Sequence, residues 1–305
     1  MTDFFQQLRE CVPEGTVLAG EPMAGHTTFA AGGPARYFVI PEHPEQLEAI
    51  AALCRRENES WMVLGRGSNL LVSDRGYPGV MVSTENWKQL EVCGTMLRAQ
   101  AGVSLAAMAQ AACTAGLAGL EFASGIPGSL GGAVVMNAGA YGSEMKDVLF
   151  RVQVMDAEGK IKWLDASMLD LGYRHSCIAE KGDTVLCAEL KLWPGDVRQI
   201  RETMKELNRR RREKQPLEYP SAGSTFKRPE GYFAGKLIQD AGLAGYAVGG
   251  AAVSEKHCGF VINRDHASAD DIWKLCCLVR RKVEEQFGVR LEPEIKLVGD
   301  FEESD

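Results

Sequence analysis

Glycine dominates one stretch of the chain, residues 125–142, which reads G-I-P-G-S-L-G-G-A-V-V-M-N-A-G-A-Y-G. Because glycine has no Cβ, such a backbone can turn sharply and lie directly against a ligand. Successive backbone N–H groups in these turns form concave sites that hold phosphate. The stretch therefore predicts a bed for a nucleotide diphosphate, with tightly packed structural turns as the alternative. Its apolar part, residues 133–136, is expected to be a buried turn or strand.

A second glycine turn, G-R-G-S-N-L at residues 65–70, follows a predicted buried strand at residues 61–64. A strand that runs into a glycine turn is also found in dinucleotide-binding domains. However, Leu70 occupies the place of the third glycine in G-x-G-x-x-G, and the apolar residues after Asn69 predict a strand, not a helix. A Rossmann site is therefore disfavoured, and a β-turn without a ligand remains the alternative.

The composition bounds the class of protein. The 305 residues are 45% hydrophobic and 25% charged, with a net charge of −7, which is typical of a soluble globular protein and atypical of a general nucleic-acid binder. The sequence offers no signal peptide and no run long and apolar enough to span a membrane, so we expect a cytoplasmic location. The nine cysteines include no C-x-x-C pair, which predicts buried free thiols and no metal site.

Apolar periodicity and turn residues predict a mixed α and β chain. Residues 1–20 are expected to form a short amphipathic helix and then a loop. Further helices are predicted over residues 44–58, 104–114, 197–214, 235–242 and 268–287. The last of them is expected to begin at a capping box formed by Ser268 and Asp271 and to end at Gly288. One predicted strand ends at residue 40. The other predicted strands lie at residues 61–64, 70–72, 77–82, 96–101, 150–156, 159–164, 184–192, 245–253, 258–263 and 291–298.

Several polar residues have an ordinary interpretation when taken alone. A lone arginine such as Arg174 is usually a surface charge, Ser224 is a loop serine, and Glu294 is an acid beside a strand. The run of four arginines at residues 209–212 could bind phosphate, but a solvated helix face or local ion pairing is the default.

Six motifs taken together are more specific than any one of them. In order they are G-R-G-S-N-L at 65–70, G-I-P-G-S-L-G-G-A at 125–133, N-A-G-A-Y-G at 137–142, Y-R at 173–174, A-G-S-T-F-K at 222–227 and L-E-P-E at 291–294. This order resembles the UDP-N-acetylenolpyruvoylglucosamine reductases, flavoenzymes of bacterial peptidoglycan synthesis, over nearly the whole chain. The short interval between Arg174 and Ser224 resembles the family branch that lacks an inserted tyrosine segment.

The resemblance implies an α+β fold with three parts. Residues 1–84 and 85–206 would be the two FAD-binding subdomains of the vanillyl-alcohol-oxidase (PCMH) type, and residues 207–305 a C-terminal α+β substrate-binding domain. It also implies non-covalent FAD, NADPH as co-substrate and UDP-N-acetylglucosamine enolpyruvate as substrate, with no nucleic acid, membrane or metal. A monomer is the default oligomeric state.

Site residues carried over from the family fall into three groups. The catalytic residues would be Arg174, which binds and polarises the substrate carboxylate, Ser224 as proton donor, and Glu294, which assists the polarisation or relays protons. The substrate would contact Tyr141, Lys214, Lys227, Arg228 and His257, although His257 could equally be a simple loop histidine. FAD would be held by Gly65, Arg66, Gly67, Ser68, Asn69, Leu70, Gly125, Ile126, Pro127, Gly128, Ser129, Gly132, Asn137 and Gly139.

Two competing functions follow from the same residues. One is another flavin oxidase or dehydrogenase, although such enzymes are often longer and tether the flavin through His or Cys. The other is a nucleotide-binding protein without catalytic activity, which the presence of Arg174, Ser224 and Glu294 disfavours. His26 stands where the family usually has Asn in an Asn-Thr-Thr-Phe motif, so the role of that position is open.

Overall fold

A computed structural model describes residues 3–302 of the chain. The outer ends of the first and last predicted domains, residues 1–2 and 303–305, lie outside the described residues. The α-helices are α1 (Phe4–Cys11), α2 (Gln46–Glu57), α3 (Leu105–Thr114), α4 (Leu130–Val135), α5 (Cys177–Glu180), α6 (Val197–Lys214), α7 (Ala234–Asp240) and α8 (Ala269–Phe287).

The strands are short and numerous. They are β1 (Thr16–Pro22), β2 (Pro34–Ile40), β3 (Trp61–Leu64), β4 (Leu70–Val72), β5 (Tyr77–Ser83), β6 (Leu90–Cys93), β7 (Met96–Gln100), β8 (Leu117–Ala118), β9 (Gly139–Ala140), β10 (Ser143–Glu144), β11 (Leu149–Met155), β12 (Ile161–Asp165), β13 (Thr184–Lys191), β14 (Trp193–Pro194), β15 (Ala247–Val248), β16 (Ala251–Val253), β17 (Val261–Asn263) and β18 (Lys296–Val298).

These strands form three sheets of three or more strands. The orders are β1-β2-β5-β3, β12-β11-β13-β7-β6 and β15-β16-β17, and pairs are formed by β9 with β10, β8 with β14, and β4 with β18. The β3–β5 and β4–β18 pairs are parallel. The adjacent strands of the five-stranded sheet are all antiparallel.

The chain forms two compact units, each assembled from separate segments. The first contains the described residues through Leu18, Tyr37–Arg66 and Val80–Arg211; the second contains Ala19–Arg36, Gly67–Gly79 and the described residues from Arg212 onward. Each unit has its own apolar core. The predicted boundaries at residues 84/85 and 206/207 remain predictions, and the second of them falls inside α6.

The five-stranded sheet organises the first unit. Its inner face buries Leu97, Val152 and Leu190, and the core that they share also contains Leu130 and Val134 of α4. One row of its other face alternates in charge across all five strands, because register pairs Glu91, Arg98, Glu189, Arg151 and Asp165 in turn. Opposite charges on neighbouring strands favour this register over a shifted one.

Helix α8 organises the second unit. It begins at the predicted capping box, where the Ser268 side chain accepts from the Asp271 N–H and Asp271 accepts from the Ser268 N–H. Asp74 completes the cap by accepting from the N–H groups of Ala269 and Asp270, both at 2.9 Å. The helix ends at Gly288, which is left-handed with φ 68° and so suits a residue without Cβ.

Four sequence predictions were wrong in detail. Residues 130–135 form helix α4 instead of a turn or strand, because burial of its apolar side chains outweighs the low helix propensity of Gly and Val. The expected loop near residues 16–20 is strand β1. Residues 245–253 form two short strands divided by Gly249, whose φ is +52°. The last strand is only β18, since Pro293 offers no N–H to a ladder.

Other expected features can be checked against the described part of the chain. All nine cysteines of the sequence lie in it and are free, and six of them are buried: Cys54, Cys113, Cys177, Cys187, Cys258 and Cys276. Within residues 3–302, no helix has the length and apolar composition that crossing a bilayer requires. Nor do these residues gather three or more His, Cys, Asp or Glu side chains into a group suited to a metal ion.

The Asp74 cap yields a stability prediction. Asp74→Ala removes the acceptors of two N–H groups in the first turn of α8, which should lower the free energy of unfolding by about 1–2 kcal/mol. Denaturant unfolding followed by circular dichroism measures this. Asp270→Ala is the matched control, because it removes a first-turn carboxylate that only complements the helix dipole, and it should cost about 0.3–1 kcal/mol. Equal losses in the two variants would contradict the cap.

Candidate active site

The first unit contains a cradle formed by two glycines and one buried hydroxyl. Strand β3 ends at Leu64, and a Cβ added to the next residue, Gly65, would lie 2.4 Å from Ser129 Oγ. Ser129 is 2% exposed, and among residues 3–302 its Oγ finds no hydrogen-bond partner. A Cβ on Gly132 would also approach this Oγ, at 4.0 Å. A buried hydroxyl facing backbone without side chains is suited to hydrogen bond a ligand that lies against the glycines.

The backbone around Ser129 is fixed by its neighbours. Leu130 N–H donates to Val103 at 2.9 Å, and Leu105 N–H donates to Gly128 at 3.1 Å. Gly131 then passes close to Ala101, which lies 3.0 Å from where its Cβ would be. Residues 126–128 are held between these contacts and the short helical turn Glu121–Gly125, and Pro127 is the exposed one of the three. This part of the predicted phosphate bed is therefore preorganised.

The later half of the glycine turn at residues 65–70 belongs to the second unit. Gly67 is left-handed with φ +59°, and a Cβ there would lie 2.0 Å from the His26 carbonyl oxygen. Thr28 N–H donates to the Gly67 carbonyl at 3.1 Å. His26 itself pairs with Glu21, with 2.9 Å between Nε2 and Oε1. Glycine is thus needed at position 67 because segment 26–28 packs directly on it. The preceding residue, Arg66, belongs to the first unit and is exposed.

The side chain of Asn137 makes its hydrogen bonds within the protein. It is fully buried and left-handed at φ 42°. Its amide donates to Glu144 at 2.8 Å and to the Gly172 carbonyl at 2.9 Å, and its Oδ1 accepts from Lys146 N–H at 2.9 Å. These bonds use both amide hydrogens, so its side chain joins the N-A-G-A-Y-G segment to the loop that carries Arg174. Gly139 lies in the same segment, where a Cβ would meet Glu144 Cβ at 2.7 Å.

Arg174 lies at the tip of a tight turn. Gly172 and His175 exchange two backbone hydrogen bonds, of 3.1 and 3.3 Å, and Arg174 between them has φ 54°. A left-handed arginine is strained, and such strain is common at functional turns. The guanidinium lies 5.1 Å from the Tyr173 ring centre and donates weakly to Gly139 at 3.4 Å. It is thus aimed towards the segment that contains Gly139.

Ser224 and Glu294 are brought together in the second unit by their backbones. The Glu294 N–H donates to the Thr225 carbonyl at 2.8 Å, and the Lys227 N–H donates to the Glu292 carbonyl at 2.8 Å. Phe226 and Pro293 form the bridge between these bonds. Two predicted catalytic residues that are far apart in sequence therefore lie on adjacent segments. Arg174 belongs to the first unit.

Thr225 supports this ladder, although the sequence analysis did not identify it as a site residue. It is fully buried, its N–H donates to Gly259 at 2.9 Å, and its hydroxyl accepts from Val261 N–H at 2.8 Å. Next to it, Ser224 is exposed and follows Gly223, whose φ is +78°. A rigid threonine thus presents a serine hydroxyl at the surface of the unit.

Three of the predicted substrate contacts in the second unit, Lys214, Lys227 and Arg228, are cationic and surface-accessible. Lys227 lies 3.3 Å from Glu292, and the Arg228 guanidinium lies 3.9 Å from the Phe233 ring centre. Lys214 is exposed at the end of α6. Cation–π stacking leaves the edge of a guanidinium available for an anion.

His257 is half-buried and uncharged at neutral pH. Its Nδ1 accepts from the Gly259 N–H at 3.1 Å, and its ring packs edge-on against Phe260. Burial lowers the pKa of His257 below its ordinary range. With Nδ1 accepting, Nε2 carries the proton, so this side chain offers a neutral donor instead of a positive charge.

Arg211 packs against its neighbours and does not lie on the solvated helix face expected by default for residues 209–212. Burial lowers the pKa of its guanidinium, and the nearby Tyr141 opposes that effect. A Cβ on Gly125 would lie 3.3 Å from Arg211 Nη1 and 2.2 Å from Asn208 Oδ1, so Gly125 is required for α6 to pack here. Tyr141 hydroxyl donates to Leu207 at 3.2 Å. The signal was available, because Arg211 continues the inner-face spacing of Ile200, Met204 and Leu207.

Comparisons with known proteins identify the family to which the chain belongs. A family model described as FAD binding domain matches residues 35–165, and one described as UDP-N-acetylenolpyruvoylglucosamine reductase, C-terminal domain, matches residues 215–298. The UDP-N-acetylenolpyruvoylglucosamine reductase of Caldanaerobacter subterraneus subsp. tengcongensis is 50% identical, over 96% of this chain and 97% of the relative. The chain belongs to the UDP-N-acetylenolpyruvoylglucosamine reductase family.

Further relatives support the assignment. The reductase of Agathobacter rectalis is 50% identical, over 98% of this chain and 99% of its own. The crystal structure of the reductase from Thermus caldophilus superposes with a TM-score of 0.80 at 35% identity, covering 94% of this chain and 99% of that one. The predicted fold class, an FAD-binding fold followed by a C-terminal domain of this family, is confirmed.

Membership makes the chain an oxidoreductase with FAD as its cofactor. The residues present fit a flavin diphosphate, because the first unit holds a buried hydroxyl without a protein partner beside Gly65 and Gly132. The roles of individual residues in holding FAD remain predictions. Both amide hydrogens of Asn137 are bonded within the protein, so we expect its side chain to affect FAD only by fixing its loop.

The cradle yields a prediction for cofactor binding. Gly65→Ala places a methyl group against Ser129 Oγ and should weaken FAD binding by about tenfold or more, since displacing a buried polar partner costs on the order of 1–3 kcal/mol. Flavin titration of the apoprotein measures it. Gly25→Ala is the matched control, because nothing lies within 4 Å of a Cβ there. Wild-type affinity in Gly65→Ala would exclude the cradle.

His257 yields a pH prediction. Because the folded pKa is depressed, its contribution to stability is complete above the unfolded pKa, near 6.5, and is lost as the pH falls from there towards the folded value. His257→Asn should therefore flatten the fall in denaturation midpoint between pH 7 and pH 5. The exposed His43→Asn serves as control and should retain the wild-type slope. An unchanged slope in His257→Asn would contradict burial of a neutral imidazole.

Proposed function

We propose that the chain catalyses the NADPH-dependent reduction of the enolpyruvyl ether of UDP-N-acetylglucosamine to UDP-N-acetylmuramate, a precursor of bacterial peptidoglycan. The relatives named as this reductase align with almost the whole chain. The observation that carries the proposal is the backbone ladder that ties Glu294 to the Ser224 loop. It supplies an exposed hydroxyl and a carboxylate on adjacent segments.

The reaction adds one hydride and one proton across the carbon–carbon double bond of the enol ether. Bound FAD supplies the hydride that it has received from NADPH. Negative charge then develops towards the substrate carboxylate, and preorganised donors aimed at that charge lower the barrier. Arg174 is the proposed donor, because a guanidinium binds a carboxylate through two parallel N–H groups.

Ser224 is the proposed proton donor to the carbon that bears the carboxylate. A serine hydroxyl is a weak acid, so it acts only where it is well placed and its alkoxide is reprotonated. Gly223 supplies the positive φ of the turn before Ser224, and the buried Thr225 fixes the backbone after it. Glu294 lies on the adjacent segment and is proposed to pass a proton back to Ser224.

Substrate recognition is proposed to depend on the cationic side chains. Lys214, Lys227 and Arg228 are suited to the diphosphate of the uridine nucleotide, and His257 to a neutral hydrogen bond through Nε2–H. Without a separate Rossmann motif, NADPH and the enol ether are proposed to visit the flavin in turn, in a ping-pong sequence.

Ser224→Ala tests the proton donor. Under anaerobic conditions, NADPH should bleach the flavin band of the variant at the wild-type rate, whereas UDP-N-acetylglucosamine enolpyruvate should restore it at least about 100-fold more slowly. Stopped-flow absorbance measures both steps. Ser221→Ala, in the same loop, is the control and should behave as wild type.

Two outcomes would count against the proposal. Equal slowing of both steps in Ser224→Ala would remove Ser224 from proton delivery. A wild-type flavin that bleaches with NADPH but does not recover with the enol ether would point to another electron acceptor on the same fold.

A further inference from the structure

Asn69 contacts the Glu294 segment through both its side chain and its backbone. The side-chain amide donates to the Glu294 carbonyl at 3.0 Å. The Asn69 carbonyl accepts from the Lys296 N–H at 2.9 Å. Asn69 thus holds the chain on either side of Ile295, which is 3% exposed. All these residues belong to the second unit.

The Glu294 peptide is consequently held from two directions. Its N–H is bound by the Thr225 carbonyl of the Ser224 loop, and its carbonyl by the Asn69 amide. Residues 292–295 lie before β18 begins at Lys296, so the short bridge to residues 225–227 is the only backbone pairing described for them. The Asn69 side-chain amide supplies the hydrogen bond to the Glu294 carbonyl that a backbone N–H of a neighbouring strand would supply in a regular sheet. Of the two anchors on Glu294, the Asn69 amide is the one that a substitution can remove.

Asn69 also belongs to the glycine turn that precedes β4. Leu70, the next residue, pairs with Lys296 in the parallel β4–β18 register. Gly67, two residues earlier, is closed by segment 26–28. The Asn69 side-chain amide therefore joins the glycine turn directly to the Glu294 peptide, beside the backbone pairing that begins at Lys296.

We propose that Asn69 is a positioning residue for Glu294 and that it couples the glycine turn to proton delivery. The proposal rests on the proposed function, in which Glu294 reprotonates Ser224. It assigns the side chain of Asn69 to the substrate half-reaction, whereas the sequence alone assigned it to the cofactor. The side chain bound to Glu294 is not needed for hydride transfer from NADPH to the flavin.

Asn69→Ala should therefore divide the two half-reactions. Bleaching by NADPH and flavin content should stay within about twofold of wild type, while recovery with the enol ether should slow by about 10–100-fold, as expected for a displaced catalytic group. The displacement should lower kcat with little change in KM for the sugar nucleotide. Asn86→Ala is the matched control, because its amide donates to Glu42 at 2.7 Å in the first unit, and it should react as wild type.

Two further measurements address the contact itself. Hydrogen exchange followed by mass spectrometry should show faster exchange of residues 291–298 in Asn69→Ala than in wild type or Asn86→Ala, with or without FAD. Asn69→Asp keeps the size but sets a carboxylate against a carbonyl. Its recovery rate relative to wild type should rise as the pH falls, because a protonated carboxyl can donate the missing hydrogen bond.

The outcomes separate this proposal from the function on which it rests. Loss of flavin content, or equal slowing of both half-reactions, in Asn69→Ala would place the side chain in cofactor binding and overturn its positioning role. Wild-type exchange and wild-type recovery would overturn it as well. If wild-type enzyme itself does not recover with the enol ether, the proposed function fails, whatever the exchange shows.

Discussion

The hydrogen bond from the Glu294 N–H to the Thr225 carbonyl is the contact on which the second unit's part of the site depends. It connects a loop with few regular hydrogen bonds to a segment interrupted by Pro293. Neither segment belongs to a strand of the described fold, so each lacks the long ladder that would hold it alone. Thr225 can serve as the anchor because it is itself fully buried and makes two hydrogen bonds, one with Gly259 and one with Val261.

Around the glycines, the corresponding constraint is the close approach of neighbouring segments to the glycine backbone. Gly65, Gly67 and Gly125 each have a polar atom of a neighbouring segment where a side chain would begin. The three positions differ in what approaches: a buried hydroxyl, a carbonyl, and an amide side chain on α6. Glycine is required here for packing, which is compatible with the predicted phosphate bed, so the two interpretations of the glycine stretch do not exclude each other.

The sequence predicted those parts of the fold that local chemistry decides. The Ser268 capping box, the Gly288 end of α8 and the strand at residues 61–64 follow from caps, turns and buried runs, and the structure confirms them. Helix α4 could not be recognised, because its six residues contain two glycines and two valines and owe their helicity to burial against the five-stranded sheet. The family motifs named candidate site residues, but the partners of those residues depend on tertiary contacts. Asn137 and Asn69 illustrate this, since their side-chain amides donate to the Gly172 and Glu294 carbonyls, which are distant in sequence and cannot be predicted from a local pattern.

The parallel pairing of β4 with β18 has a consequence for how the chain is made. Asn69 and Glu294 are 225 residues apart, and Leu71 and Val72 of β4 are fully buried in the finished structure. During synthesis, at about 5–20 residues per second, β4 leaves the ribosome at least roughly ten seconds before its partner strand exists. The second unit cannot close until nearly the whole polypeptide has been released. An unpaired apolar strand edge must therefore be shielded in the nascent chain, by transient contacts or by chaperones, for most of translation.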